Sequence, residues 1–190
     1  MLRKLGRIEL HLDKIKPILH TFTSGSGFVT EEWRSGQQQA FRTLGMSVEQ
    51  ISSWLAYPEE VGEICNHYST DVFKRFIEKL LGPEFYTQNN CEPNIVMWRI
   101  QEQKPGRITI PHVDLYTSVK KNHNIEKDQL LRLWIPLEDA KFGHLLLVGE
   151  ETLDNFKSGE IYDWDNEMHT GINAGFDPRY TLLVYLKKNT

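Results

Sequence analysis

Cysteine is scarce in this chain of 190 residues, and long apolar runs are missing from it. The two cysteines, Cys65 and Cys91, lack the spacing of a zinc knuckle, which predicts free or buried thiols in a reducing compartment. No apolar stretch approaches the ~20 residues that a membrane-spanning helix requires. Charged residues appear too early, at Arg3 and Lys4, for the apolar core of a secretory signal peptide. We therefore expect a cytoplasmic protein without a membrane partner.

An excess of basic charge is also missing. The net charge is -4 at pH 7, and no block of lysine and arginine stands out. Nucleic-acid binding needs such a basic surface, so we expect no nucleic-acid partner. Apolar residues make up 39% and charged residues 25% of the chain, which is the composition of an ordinary globular protein. A chain of this length buries a sizeable core, and we predict one domain over residues 1–190.

The first part of the chain contains two clear helix signals. Ser47 stands three residues before Gln50, a capping-box pattern that predicts the start of a helix. A second helix is predicted from residue 70 or 71, because apolar residues then recur at helical spacing. Gly82 and Pro83 predict the end of that helix. We expect residues 1–91 to form a mainly helical N-terminal cap.

Three shorter segments of this cap have weaker patterns. Residues 8–12 alternate apolar and charged side chains, which predicts a short strand. The sequence TFTSGSG at residues 21–27 has the composition of a loop. The polar residues 33–39 are a candidate part of a lid over a binding site, because loops on a rigid scaffold often carry specificity.

From residue 92 onwards the pattern changes to short strands separated by turn residues. The predicted strands cover residues 94–101, 107–115, 130–137, 144–148, 159–164, 169–172 and 180–187. Strands of this length at a spacing of about ten residues are typical of a sandwich or a jelly-roll barrel. Helices that precede strands around one core define the α+β class. We therefore predict an α+β fold with a β core over residues 92–190.

A candidate metal site begins at His112 and Asp114. Side chains alternate along a strand, so residues two apart point to the same face. Ile110 precedes them on this face, where polar groups are costly to bury unless they are paired or metal-bound. With His169 from a distant strand, two nitrogens and one carboxylate would lie on one side of a metal, as in non-haem Fe(II) sites. The alternative for each residue alone is an ordinary polar side chain on a half-buried strand.

Arg179 follows His169 by ten residues, and its guanidinium is suited to hold a dicarboxylate through paired, charge-assisted hydrogen bonds. The ordered set of His112, Asp114, His169 and Arg179, over a run of short strands, resembles the double-stranded β-helix oxygenases that use Fe(II) and 2-oxoglutarate. An asparagine four residues and an arginine ten residues after the distal histidine are similar to the aspartyl/asparaginyl β-hydroxylase-like branch. The resemblance covers about residues 94–187.

This resemblance implies a jelly-roll or cupin-like double-stranded β-helix core with the N-terminal helices packed on it. It implies that His112, Asp114 and His169 hold Fe(II), while Arg179 and Thr181 bind the distal carboxylate of 2-oxoglutarate. With O2 as the other cosubstrate, such an enzyme hydroxylates a carbon atom and releases succinate and CO2. The nearest branch implies that the substrate is a small-molecule amino acid or a peptide.

Three further residues belong to the implied cosubstrate site. Residues 131–137 resemble a strand of that branch whose arginine and aromatic ring touch the cosubstrate, and Arg132 and Trp134 occupy these positions. The alternative for Arg132 is a solvent-exposed arginine at a strand edge. Asn173 either contacts a ligand or orients a metal ligand, or it caps its own turn. Residues 119–129 lengthen the connection after the His-x-Asp motif and predict a loop over the site.

A second class of function stays open at this point. A non-catalytic, cupin-like binding protein would use the same residues for a structural or sensory metal. Zinc in such a protein prefers a closed site with four ligands, and His144 is the candidate fourth ligand. An iron dioxygenase that needs no 2-oxoglutarate is a lesser alternative, against which Arg179 and Thr181 argue. The sequence does not fix the substrate or the oligomeric state.

Overall fold

The structure is a computed structural model that describes residues 1–21, 23–26, 31–55, 65–69, 71–165 and 167–189. The helices are α1 (Leu12–Ile15), α2 (Glu31–Thr43), α3 (Val48–Leu55), α4 (Asp71–Gln88) and α5 (Thr117–His123), with 3-10 turns at Lys16–Thr21 and Lys127–Gln129. The strands are β1 (Leu2–Arg7), β2 (Thr23–Ser26), β3 (Cys65–Ser69), β4 (Cys91–Gln103), β5 (Arg107–Ile108), β6 (Leu130–Pro136), β7 (His144–Val148), β8 (Glu151–Leu153), β9 (Glu160–Trp164), β10 (His169–Asn173) and β11 (Arg179–Lys188). Among the described helices, none is long and apolar enough to cross a membrane.

The strands form two antiparallel sheets. The larger sheet has seven strands in the order β1-β9-β6-β11-β4-β3-β2, and the smaller sheet has four in the order β5-β10-β7-β8. Many neighbours in space are distant in sequence, because the chain crosses between the two sheets, as it does in a double-stranded β-helix. The prediction of an α+β fold with a double-stranded β-helix core is therefore confirmed.

Apolar side chains cover both faces of the larger sheet. On its outer side, Leu133 and Leu182 pack with Ile77 of α4 in a group of buried residues that we call the outer cluster. On its inner side, Leu183 packs with Val148 of the smaller sheet in a second group, the inner cluster. Successive residues of β11 thus alternate between the two clusters, as the strand period requires. The inner cluster fills the space between the sheets.

The N-terminal part of the chain contributes more strands than its pattern predicts. β1 lies at Leu2–Arg7 and pairs with β9, so the prediction of a strand at residues 8–12 is wrong. Ile8 and Leu10 are buried in the outer cluster but lie outside any strand. The alternation of apolar and charged residues at 8–12 therefore reflects side-chain burial without strand pairing. Within the predicted loop at residues 21–27, the described part contains β2, which pairs with β3. A distant partner strand supplies these hydrogen bonds, which local composition does not reveal.

The starts of both predicted helices are confirmed, whereas the predicted end of the second helix at Gly82 and Pro83 is a kink within α4, which continues to Gln88. Before α3, Gln50 N donates to Ser47 Oγ at 3.2 Å and Ser47 N donates to Gln50 Oε1 at 2.7 Å, which is the predicted capping box. α4 begins at Asp71 and kinks at Gly82, where φ is +72°. Pro83 starts a further helical stretch after this kink, because proline is well tolerated in a first helical turn.

Differences in the β core concern short elements. β5 covers only Arg107–Ile108 of the predicted strand at residues 107–115, and beyond it a single bridge joins His112 to His169. β8 is three residues long and gives no periodic signal in the sequence. The prediction of a loop at residues 119–129 is wrong, because α5 and a 3-10 turn occupy this segment and bury two of its apolar side chains in the inner cluster.

Candidate metal centre

The three predicted metal ligands meet between the two sheets. His112, Asp114 and His169 each offer one ligand atom, and these atoms lie within 4.8 Å of one another. Two backbone hydrogen bonds join the histidines, one of 3.0 Å from His112 N to His169 O and one of 2.9 Å from His169 N to His112 O. The centroids of the two imidazole rings are 4.3 Å apart. The backbone bridge thus fixes the spacing of the two rings.

Hydrogen bonds also orient both imidazoles. His112 Nδ1 lies 2.8 Å from Ile110 O, and His169 Nδ1 lies 2.9 Å from Glu167 O. Because a carbonyl oxygen only accepts, each Nδ1 carries the hydrogen and each Nε2 keeps its lone pair. Metal-binding histidines are held in this way, with one nitrogen on a backbone carbonyl and the other on the metal. The pair is therefore prepared to bind a metal through Nε2.

The irregular segment that carries the His-x-Asp motif is supported by two helices. Gln37 of α2 donates from Nε2 to Val113 O at 2.6 Å, and its Oε1 accepts from Val113 N at 3.0 Å. Trp54 of α3 donates from Nε1 to Pro111 O at 2.6 Å. These bonds replace the missing strand partner, since buried backbone groups need hydrogen bonds. Gln37 belongs to the predicted lid at residues 33–39, but it is fully buried and its amide holds the backbone of the His-x-Asp segment.

Arg132 lies beside the triad and not at a solvent-exposed strand edge. Its residue exposure is 5%, and Nη1 lies 2.5 Å from Asp114 Oδ2 and 3.4 Å from His169 Nε2. A guanidinium nitrogen thus contacts two of the three ligand atoms, where a bound cation would lie. Two imidazole nitrogens and one carboxylate form a donor set that suits Fe(II). The residues present therefore fit a divalent metal.

Burial and the surrounding charges keep Asp114 and His169 in their metal-binding forms. Burial raises the pKa of Asp114, but the neighbouring Arg132 guanidinium and the two histidines outweigh burial and hold that pKa below its ordinary value. Burial holds the pKa of His169 well below its ordinary value, and His112 lowers it further. Asp114 is therefore ionised and His169 is neutral near pH 7, which are the forms that bind a metal.

Arg179 borders the same narrow cavity as the triad. The residue is 5% exposed, and its Nη1 donates to Leu145 O at 2.6 Å and to Ile172 O at 3.3 Å. Gly171 leaves space for this side chain, because a Cβ at that position would collide with Arg179 Nη2. Gly171 follows His169 by two residues on one face of β10, so the Arg179 guanidinium lies about 7 Å along the strand from this candidate ligand.

Two other predicted cosubstrate contacts lie on the inner face of the larger sheet. Trp134 lines the cavity and packs edge-on against Phe156, with ring centroids 5.2 Å apart. Thr181 stands two residues after Arg179 on β11 and is buried, but it does not belong to the cavity lining. The role of Thr181 in binding a carboxylate stays a prediction.

Asn173 holds a turn at the far end of β10. Its Nδ2 donates to Gln103 O at 2.9 Å and to Asp177 O at 2.8 Å, and its Oδ1 accepts from Gly175 N at 3.1 Å. These contacts engage both ends of the amide with the backbone and support the turn-capping alternative. A contact of Asn173 with a ligand stays a prediction.

Sequence reasoning missed Arg99 and Gln101 as cavity residues, and for Trp164 it favours a core aromatic over the alternative of a pocket edge. Arg99 and Gln101 of β4 reach the cavity from the inner face, and Trp164 reaches it from β9. The ring centroid of Trp164 lies 4.9 Å from that of His169, and the Arg132 guanidinium lies 3.9 Å from the centroid of the indole. Polar residues that alternate with apolar ones usually predict a solvent-facing side of a strand. No local pattern shows that a second sheet encloses this side.

Comparison with known proteins finds similarity in structure only. No family model matches the chain, and no curated protein matches it in sequence. The chain is similar to a viral collagen prolyl hydroxylase of Paramecium bursaria Chlorella virus-1, solved as a 2-oxoglutarate complex, with 12% identity, a TM-score of 0.48 and coverage of 88% of this chain and 96% of that one. It is also similar to a prolyl hydroxylase of Trichoplax adhaerens in complex with a hypoxia-inducible-factor peptide, with 10% identity, a TM-score of 0.47 and coverage of 94% and 88%. A predicted oxalate decarboxylase of Thermotoga maritima has 13% identity, a TM-score of 0.38 and coverage of 66% and 82%. At these identities the likeness concerns the fold, and the function is inferred from the site.

Proposed function

We propose that the protein is an Fe(II)- and 2-oxoglutarate-dependent dioxygenase that hydroxylates an amino acid or a peptide side chain. The proposal is carried by His112, Asp114 and His169, whose ligand atoms lie within 4.8 Å of one another. The cavity that contains them is also lined by the buried Arg179. Two histidines and one carboxylate on one side of a metal leave the other coordination positions open for cosubstrates. Bound Fe(II), with 2-oxoglutarate and O2, supplies the oxidation of a C–H bond coupled to the release of succinate and CO2.

Some cavity residues bind the metal and the cosubstrate, and others exclude water from the site. The Nε2 atoms of the two histidines and the carboxylate of Asp114 hold the metal. Arg179 binds the distal carboxylate of the cosubstrate through charge-assisted hydrogen bonds, about 7 Å along β10 from the triad. Leu146 and Trp134 line the cavity and belong to the inner cluster, so they keep water from this side of the site. The cytoplasmic location and the single-domain organisation stay predictions.

The proposal is tested by loading the full-length protein with Fe(II) without oxygen and then measuring succinate from 2-oxoglutarate in air. A panel of amino acids and short peptides is added, and we expect slow basal turnover that one panel member accelerates. His112→Ala abolishes turnover, whereas the matched variant His123→Ala at an exposed position of α5 retains it. An iron-loaded protein that forms no succinate with any panel member would exclude this function.

No observation favours the non-catalytic metal protein. His144, the candidate fourth ligand, pairs with Asn173, while His169 pairs with Val148 at the other end of β7. Four residues of strand separate the two positions, which corresponds to about 13 Å. Among the residues that the structure describes, the candidate metal group contains only the triad. The described residues therefore do not form a closed four-ligand zinc site.

A further inference from the structure

Helices α2 and α3 pack on the segment that carries two of the candidate metal ligands. Gln37 lies on the buried face of α2, four residues before Phe41, and neither side chain is exposed. A buried amide side chain is costly unless it is hydrogen-bonded, so a glutamine at this position needs specific partners. Both partners come from Val113, which lies between His112 and Asp114. The contact therefore joins α2 to the backbone between two candidate ligands.

The amide of Gln37 takes the place of a neighbouring strand. Along an extended segment, the backbone N–H and C=O groups of successive residues point to opposite edges. His112 uses its two groups to bond His169 of β10. Val113 uses its two groups to bond the Gln37 amide, on the other edge of the segment. The segment is therefore held from both sides, although only one of its neighbours is a strand.

A group of apolar side chains fastens the two helices to the site. Four buried residues form this group, which we call the helix cluster: Phe41, Ile51, Trp54 and Ile110. Ile110 precedes the candidate ligand His112 by two residues. Met168, which packs against the helix cluster, directly precedes His169. The helix cluster thus contacts both segments that carry the histidines of the triad.

Among the described residues, the helix cluster shares no buried side chain with the outer or the inner cluster. It is also much smaller than either of them. Hydrophobic stabilisation is roughly proportional to the apolar area that is buried, so a small cluster holds the helices weakly. Regions with few buried apolar contacts open at a lower free energy than the core of a protein. The helices can therefore leave the site while the two sheets keep their packing.

We propose that docking of α2 and α3 assembles the metal centre, and that Gln37 is the positioning residue of this contact. With the helices docked, the Gln37 amide and the bridge to His169 fix the backbone of His112 and Asp114. With the helices undocked, only the bridge holds this segment. A metal that binds more tightly to the docked state also stabilises docking, because such coupling is reciprocal. The inference rests on the proposed function, since it takes the triad to bind a divalent metal.

The test is hydrogen exchange of the full-length protein, which is freed of metal with a chelator and measured with and without Co(II). We expect bound Co(II) to slow exchange at the amides of α2 and α3. α4, which packs in the outer cluster, is the internal control and exchanges at the same rate in both samples. Co(II) that binds without slowing exchange in α2 and α3 overturns this proposal and leaves the proposed function standing. A wild-type protein that binds no Co(II) overturns both.

A variant then assigns the coupling to Gln37. Gln37→Met keeps the length of the side chain but removes both hydrogen bonds to Val113. We expect the Kd of Co(II), measured by the visible absorption of the bound ion, to rise about 10- to 100-fold, as is usual when a group that orients metal ligands is lost. Gln39→Met makes the same change at an exposed position of the same helix and leaves the Kd unchanged. An unchanged Kd in Gln37→Met would overturn the proposal.

Two further variants separate positioning from a general loss of stability. Trp54→Phe removes the hydrogen bond to Pro111 O but keeps an aromatic ring against Phe41, so we expect the Kd of Co(II) to rise about 3- to 10-fold. This variant tests the docking contact even if Gln37→Met does not fold. Ile77→Val, in the outer cluster, lowers the stability of the protein and leaves the Kd unchanged. If Ile77→Val raises the Kd as much as Trp54→Phe does, the effect is general instability and the proposal fails.

Discussion

The two faces of β11 are both buried, but they hold different chemistry. The outward residues Leu182 and Val184 join a cluster of apolar side chains against α4. The inward side begins with Arg179 and Thr181 before it becomes apolar at Leu183. Burying an arginine costs free energy unless hydrogen bonds compensate it, whereas burying leucine and valine stabilises the fold. The outer face therefore serves stability, and the inner face gives up some stability to place charges around the candidate metal centre.

The largest expected effect comes from the inner face. Asp114→Asn removes the proposed anionic metal ligand, so we expect succinate formation to fall to background. It also leaves the buried Arg132 without its counter-ion, which lowers the free energy of unfolding of the metal-free protein by about 3–5 kcal/mol. Succinate assays measure the loss of turnover, and denaturant titration in the presence of a chelator measures the loss of stability of the metal-free protein. Asp154→Asn, at an exposed position directly after β8, is the control that changes neither. If Asp114→Asn retains turnover, the conclusion that the inner face of the larger sheet carries the function is wrong.

Two adjacent leucines sharpen the comparison. Leu182→Ala opens a cavity in the outer cluster and lowers the free energy of unfolding by about 2–5 kcal/mol, without changing the affinity for 2-oxoglutarate. Leu183→Ala makes the same deletion one residue later on the inner face, where the side chain lines the metal cavity. We expect a similar loss of stability there together with weaker 2-oxoglutarate binding. Equal effects of both variants on that binding would show that the faces are not functionally distinct.

A smaller effect is expected at the arginine of the inner face. Arg179→Met removes the charge that we propose binds the distal carboxylate of 2-oxoglutarate, so we expect the KM for 2-oxoglutarate to rise about 10- to 100-fold, which corresponds to the loss of charged hydrogen bonds. The turnover at saturation changes less. Gly171→Ala displaces the same guanidinium and raises the KM in the same direction. Steady-state succinate assays measure both variants, and an unchanged KM in Arg179→Met would remove the assigned role.

The smallest effect concerns pH. Burial lowers the pKa of His144 and of His169 below the ordinary value, so the folded metal-free protein binds fewer protons than the unfolded chain in acid. The contribution of these two histidines to the free energy of unfolding is therefore fully present above about pH 6.5. As the pH falls below this value, the free energy of unfolding decreases by at most about 1.4 kcal/mol per pH unit for each histidine. Denaturant titrations between about pH 5 and about pH 7 measure the slope. His144→Gln reduces this slope, and a slope of zero in the wild-type protein would refute the assignment.

The sequence predicts the part of the site that depends on spacing within strands. His112 and Asp114 are two residues apart, and their side chains do converge with His169 although only a bridge and not a full strand carries them. The order and spacing of these residues are enough to predict that their side chains converge, because the convergence does not require a regular strand around His112 and Asp114. The helices α3 and α4 are predictable for a similar reason, since capping residues and helical spacing are local signals.

The rest of the site depends on contacts between distant segments. Gln37 supports the His-x-Asp segment from a helix more than seventy residues earlier, and no local pattern indicates that contact. Arg132 has the sequence context of a strand-edge arginine, yet it contacts Asp114 because the smaller sheet covers the inner face. The pairing of β1 with β9 is likewise decided by tertiary structure. Local propensity is weak evidence for each of these three arrangements.

The most direct test of the central claim is anomalous X-ray diffraction at the iron edge from crystals of the protein loaded with Fe(II) without oxygen. We predict one strong peak per chain, within bonding distance of His112 Nε2, His169 Nε2 and the carboxylate of Asp114, with Arg132 moved away from the ligand atoms. A peak at any other position, or no peak between these three side chains at full iron loading, would contradict the account.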